Sequence, residues 1–178
     1  MLKAKFFKEI KAKTLLIFCN DCCPAFQFGN HPNIVAASAF AGLVNPENGF
    51  DEAWFNYHFE QSNIKEIFIL GHTNCYVLHN LLQKKVIPES CKNAKKQVLG
   101  NQLLFNNLSF LNENLGFTFL KYQLALQKRW LELYFQKTGI MKKYEPKIKL
   151  LFIDETRQSI EKITDLQFLL LSESLTKN

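Results

Sequence analysis

Residues Thr14-Leu15-Leu16-Ile17-Phe18-Cys19 form a continuous apolar run that stops at Asn20-Asp21. A half-exposed strand would alternate apolar and polar residues. An unbroken run of this length reads instead as a strand buried on both faces, with its C-terminal end opening into a loop. Ile64–Leu70 repeats the pattern, with Gly71 expected to end the strand, and Lys149–Asp154 supplies a third clear strand behind Pro146. Between these runs, Asp51–Gln61 carries Trp54, Phe55, His58 and Phe59 at helical spacing behind an acidic start. Asn74–Lys85 sets Val77, Leu78, Leu81 and Leu82 on one face ahead of a lysine-bearing end. Strands alternating with helices predict an α/β protein with a mostly parallel central sheet flanked by helices.

Further out, Asn33–Val44 is another apolar stretch, rich in small residues, broken by Gly42 and closed by Asn45-Pro46. Residues 90–140 read as mostly helix, in two long pieces separated near Asn114-Leu115-Gly116, the second carrying Phe119, Leu120, Leu124, Trp130 and Leu131. Ser159–Ile163 is expected to be a short edge strand and Asp165–Leu175 a final helix. Residues 1–13 read as a basic helix or arm with Phe6, Phe7 and Ile10 on one side. No linker or repeat divides the chain, so residues 1–178 are expected to form a single domain, and a 47% hydrophobic content is enough to fill a real core.

The formal net charge is +6, most of it carried by Lys3, Lys5, Lys8, Lys11 and Lys13 against Glu9. A basic arm can touch nucleic acid or an acidic lipid surface, but a solvated helix face is the plainer reading. Only Arg129 and Arg157 among the 22 basic residues are arginine, and bidentate readout of phosphates or bases leans on arginine. No nucleic-acid partner is expected. No run of about 18 apolar residues occurs, so no membrane span is expected either. The run at 14–19 is too short for the apolar region of an export signal. Five cysteines (Cys19, Cys22, Cys23, Cys75 and Cys91), odd in number and with three of them crowded together, suit a disulfide framework poorly. A reducing, cytoplasmic setting is expected, with thiols available for metal binding or redox chemistry.

Two segments stand apart: Cys19-Asn20-Asp21-Cys22-Cys23-Pro24 and Gly71-His72-Thr73-Asn74-Cys75. Each follows a buried strand, so each lies at a strand's carboxyl end, where open α/β sheets place their sites. Cys19, His72 and Cys75 would offer two thiolates and one imidazole, a soft donor set suited to tetrahedral zinc. His72 and Cys75, three positions apart around a helix start, can face one point, and the helix start favours thiolate at Cys75. Plainer readings stay open. A cysteine after a strand is often a small buried hydrophobe, a lone histidine is often satisfied by a backbone carbonyl, and Cys19 with Cys22 is also a candidate redox pair. Cys91 and His79 are assigned to packing or surface.

The order strand–Cys-x-Asp-x-x, then strand–Gly-His-x-x-Cys, resembles the zinc site of the β-class carbonic anhydrases, whose first loop reads Cys-x-Asp-x-Arg. Ala39-Phe40-Ala41-Gly42-Leu43 stands about where that family has an Arg-Asn-Ala-Gly-Asn-like strand end, and Leu150–Asp154 with Ser159–Ile163 is similar to its late strand and edge hairpin. The resemblance covers residues 14–85 and, more loosely, 147–164. The helical stretch near residues 90–140 has no counterpart in it and is read as an insert.

The resemblance implies Zn2+ as cofactor, Cys19, His72 and Cys75 as its ligands, and a homodimer. It further implies reversible hydration of carbon dioxide to bicarbonate by a zinc-activated water. Asp21 becomes the catalytic carboxylate that the family pairs with an arginine. That arginine is missing here: Cys23 holds its position, Ala39 or a small neighbour replaces the strand-end arginine, and neither Arg129 nor Arg157 lies in a matching segment. Without a cationic partner, Asp21 has reason to become a fourth zinc ligand and close the site. A lysine such as Lys13 can supply charge but no bidentate fork. Structural zinc sites are closed and catalytic ones keep an open position. The rival expectations are therefore a catalytically silent zinc-binding relative with an interaction role, an enzyme for another small electrophile on the same scaffold, and a thiol redox module built on Cys19, Cys22 and Cys23.

Overall fold

Five strands lie side by side in one sheet: β1 (Thr14–Cys19), β2 (Ile34–Ala39), β3 (Glu66–His72), β4 (Lys147–Asp154) and β5 (Ser159–Ile163). Their spatial order is β2-β1-β3-β4-β5, with β1 to β4 parallel and β5 antiparallel at the edge. This computed structural model describes residues 6–19, 21, 31–44, 46, 49–73, 75–82, 92–93, 95–100, 115–157 and 159–163. The chain leaves β1 for one neighbour and later returns to its other side, which makes the carboxyl ends of β1 and β3 the switch point of the sheet.

All six residues of β1 are buried, as a central parallel strand requires. Alternation sends Leu16, Phe18, Phe68, Leu70, Leu151 and Ile153 to one face, where Phe7, Ile10 and Leu78 cover them. Leu15, Ile17, Ile67, Ile69, Leu150 and Phe152 point to the other face. Helix α1 (Glu52–Ser62) covers that face through Phe55 and Phe59, one turn apart. It starts where the Asp51 carboxylate accepts the Trp54 N–H at 2.8 Å and stops at left-handed Asn63, two strong boundary devices. A short helix α2 (Tyr76–Leu82) follows β3. The helical stretch expected near residues 90–140 is present at 92–93 and 95–100 and as α3 (Leu115–Thr138), which continues into the short α4 (Ile140–Tyr144). Far from lying outside the core, α3 sets Leu124, Leu131 and Phe135 against the sheet over β3 and β4.

Two local readings change. Gly71 does not end β3: Gly71 and His72 continue the ladder, opposite Phe152 and Ile153 of β4. The glycine serves helix packing instead, since a Cβ there would sit 2.6 Å from Leu124 Cδ1 and 3.2 Å from its Cγ. The stretch Asn33–Val44 resolves into β2 and a 3-10 turn at Phe40–Gly42, where Gly42 adopts φ 68°, a conformation side chains disfavour. Residues 6–8 of the basic arm are helical. The helix expected at Asp165–Leu175 lies outside the described residues. Among the described residues no helix is long and apolar enough to cross a membrane.

Gly71→Val is expected to lower stability by about 1–3 kcal/mol, because the new side chain must displace Leu124. Combined with Leu124→Ala it should cost less than the sum of the two single changes, since the two positions touch. Denaturant unfolding of the four proteins measures the coupling, and strict additivity would clear Leu124 as the obstacle.

Candidate metal centre

Cys19 is the last residue of β1 and His72 the last of β3, and these strands are neighbours, so both side chains arrive at one point of the carboxyl edge. Both are almost fully buried. Cys75 reaches the same point from the start of α2. Its Sγ lies 3.5 Å from Cys19 Sγ and accepts the Leu78 N–H at 3.4 Å, while its carbonyl accepts the His79 N–H at 3.0 Å. Cys75 thus occupies the N-cap position, with sulfur in the role usually taken by an oxygen.

Asp21 completes the group. Its Oδ1 lies 3.1 Å from His72 Nε2 and 3.7 Å from Cys75 Sγ. Its Oδ2 accepts the Val77 N–H at 3.2 Å. Two of the N–H groups that a helix start leaves without intrahelical partners are therefore satisfied by Cys75 and Asp21. Among the described residues no arginine or lysine is a partner of Asp21. Arg129 is exposed on α3, Arg157 is exposed with its Nε 3.6 Å from Asp154 Oδ2, and Lys13 donates to the Pro32 carbonyl at the amino end of the sheet.

The four donor atoms of Cys19, Asp21, His72 and Cys75 all lie within 4.8 Å of one another. Ligand bonds of about 2.3 Å to sulfur and about 2.0–2.1 Å to nitrogen and oxygen give tetrahedral edges of about 3.8 Å between sulfurs and about 3.3–3.6 Å for the others. Three of the six edges, at 3.5, 3.1 and 3.7 Å, match that frame within a few tenths of an ångström, and all six lie within 4.8 Å. Donor chemistry agrees: two thiols, an imidazole and a carboxylate are a zinc set. The hydrogen bond with the Cys75 thiol, followed by burial, pushes the Cys19 thiol well above its usual range. A divalent cation among these donors would reverse that by favouring the thiolate. Burial alone would raise the Asp21 carboxyl, but hydrogen bonds from His72, Cys19 and the Val77 N–H outweigh it and hold the group well below the usual carboxylate range.

The structure thus gathers Cys19, Asp21, His72 and Cys75 in one place. His72 and Cys75 meet as a strand end and a helix cap, not as two residues on one helix face. Ala39, one of the small residues at the end of β2 considered for the missing strand-end arginine, is buried and directly opposite Cys19 in the β1–β2 register. His79 is exposed. Cys22, Cys23 and Cys91 lie outside the described residues. Two participants escaped the sequence reading. The Val77 amide carries no sequence signal at all. Glu155, whose Oε1 lies 3.6 Å from His72 Nδ1, follows the end of β4, and an acid just past a parallel strand is a signal that could have been read.

Solved β-carbonic anhydrases share this architecture. Wild-type CafD of Aspergillus fumigatus superposes with a TM-score of 0.69 at 13% identity, over 88% of this chain and 92% of that one. CafA of the same fungus gives 0.66 at 16% identity, over 93% of this chain and 82% of that one. A tetrameric β-carbonic anhydrase of Sordaria macrospora gives 0.66 at 16% identity, over 85% and 80%. The chain has the β-carbonic-anhydrase fold, reached at low sequence identity. No protein-family model and no curated protein sequence matches it.

His72→Ala is expected to lose most of the bound zinc from protein prepared with the metal and to lower its melting temperature, since bound metal adds to folding free energy. Metal analysis of the purified variant decides this. Full zinc retention would remove His72 from the ligand set.

Proposed function

We propose that this chain is a zinc protein of β-carbonic-anhydrase type, in which Cys19, His72 and Cys75 hold Zn2+ and Asp21 serves as the fourth ligand. Its activity in this reading is the reversible hydration of carbon dioxide to bicarbonate. The observation that carries the reading is the convergence of four zinc-type donors within 4.8 Å at the switch point of the sheet. Zinc held by Cys19, His72 and Cys75 would, with Asp21 displaced, lower the pKa of a bound water to about 7 and so supply the nucleophile for carbon dioxide.

The chain's own residues govern access to that chemistry. Asp21 is steered by the Val77 N–H, which fixes Oδ2 and turns Oδ1 toward the other three donors. In the family resembled, an arginine two positions after the aspartate competes for this carboxylate, and here that position is Cys23. Asp21 therefore has a neutral donor holding it in place and no arginine drawing it out. Hydration near neutral pH is expected to be weak. The same hydrogen bond favours a second reading, a catalytically silent relative whose metal is structural and whose surface serves an interaction. We also infer a homodimer of single-domain subunits in the cytoplasm. The relatives from Sordaria macrospora are tetrameric, which makes self-association the assembly to test by sedimentation.

Metal analysis should give about one zinc per chain. Stopped-flow hydration assays should show low activity at neutral pH that rises with pH, as hydroxide competes with Asp21. Cys23→Arg should raise the neutral rate about ten-fold or more, the scale of one charge-assisted hydrogen bond shifting the position of the carboxylate. Zinc with no hydration in either protein selects the silent relative, and protein that binds no zinc overturns both readings.

A further inference from the structure

Glu155 is the first residue beyond β4 and lies outside the four-donor group. Thr73, the first residue beyond β3, donates its N–H to the Ile153 carbonyl at 3.0 Å, and its Oγ1 accepts the Glu155 N–H at 3.1 Å. These two bonds extend the β3–β4 ladder past its last pair, His72 opposite Ile153, and tie the backbone of Glu155 to the residue that follows His72. The turn's arginine, Arg157, is directed to Asp154, to which it also donates its backbone N–H at 2.9 Å. Glu155 is thus carried by the sheet edge, with its half-buried carboxylate on the far side of the His72 ring from Asp21.

We propose that Glu155 is a positioning residue for His72, accepting a hydrogen bond from Nδ1–H so that Nε2 is presented to the metal as a lone pair. The inference rests on the zinc reading above. A neutral imidazole has one ring proton. Ligation through Nε2 requires that proton on Nδ1, and His72 is only 3% exposed, so a donor there needs an acceptor inside the protein. Glu155 Oε1 at 3.6 Å is a charged acceptor in place. That separation is too long for a formed hydrogen bond, but a side chain 26% exposed can rotate to close it once Nδ1 bears the proton. With Nε2 turned to the metal, which Asp21 would share as a ligand, Glu155 at Nδ1 fixes the tautomer and helps to orient the ring.

The test measures zinc affinity of the full chain by competition with a chromophoric chelator, alongside ring-nitrogen NMR of zinc-loaded protein labelled at its four histidines. Glu155→Ala should bind zinc roughly 10–100-fold more weakly. Glu155→Gln, which keeps an acceptor oxygen, should recover part of that loss. In the native protein the His72 Nδ1 proton should be shifted downfield and exchange slowly, and it should exchange rapidly in Glu155→Ala. A merely structural role would lower the melting temperature without moving that signal. If the native His72 Nδ1 proton exchanges as fast as that of exposed His79, the proposal is overturned without any variant. His72→Ala losing zinc while Glu155→Ala keeps native affinity overturns the role of Glu155 alone. His72→Ala retaining zinc overturns the metal centre and this inference together.

Discussion

The candidate centre depends on the parallel pairing of β1 with β3. Thr14 stands opposite Glu66 and Phe18 opposite Leu70, so β3 runs one residue past the level of Cys19 and brings His72 beside it despite the long stretch of chain between them. The amino ends help set this register: Lys65 and Glu66 both donate to the Lys13 carbonyl, and Lys147 donates to the Lys65 carbonyl. Side-chain packing makes the register costly to change. A slip of one residue would send Phe68 and Leu70 to the face filled by Phe55, Leu131 and Phe135, and would turn His72 away from Cys19. The large side chains on both faces thus specify the meeting of two small polar groups at the edge.

The helix that follows β3 is bound into the same arrangement. Cys75 and Asp21 cap the start of α2 through Leu78 and Val77, so the donors and the helix order one another. Deleting either side chain would leave an N–H of the first turn without its partner as well as a gap in the donor set. Stability and metal affinity should therefore move together at Cys75 and Asp21. At Cys19 the two are more separable, because β1 is held by pairing on both sides.

How much of this was legible in the sequence follows from where the signals lie. Thr14–Cys19 and Lys149–Asp154 announce themselves because a strand covered on both faces has no polar residues to interrupt it. The Gly-His-x-x-Cys segment marks the second loop because its donors are close in sequence. Gly71 is ambiguous in the sequence because a glycine at a strand end and a glycine beneath a crossing helix look alike until Leu124 is in place. The role of α3 was hidden for a related reason: its apolar residues show a helix, but not which strands it covers. Part of the hold on Asp21 is the Val77 backbone amide, which has no side-chain signature. Glu155, an acid just past the apolar run of β4, carries a local signal, but its tie to His72 depends on β4 lying beside β3, which is a long-range fact.

The replacement of arginine by small residues limits where a cation could act on Asp21. Ala39 is 2% exposed and paired with Cys19 across the β1–β2 ladder, so the last residue of β2 presents a methyl group beside the centre. Substitution there would force a large charged group into a buried seam between two strands, at a high desolvation cost. The end of β3 is occupied by His72 itself, and the end of β4 adds an acid, Glu155, instead of a base. The three strand ends around the centre therefore supply donors or apolar bulk and no positive charge. Two thiolates and the Asp21 carboxylate would bring three negative charges to a doubly charged metal, and Glu155 would add a fourth nearby. A cation introduced at position 23 would lower that excess as well as compete for the carboxylate. An amide N–H can do only the second kind of work, orienting Asp21 without neutralising it. That difference in charge, more than any difference in shape, separates this centre from one with an arginine beside its aspartate.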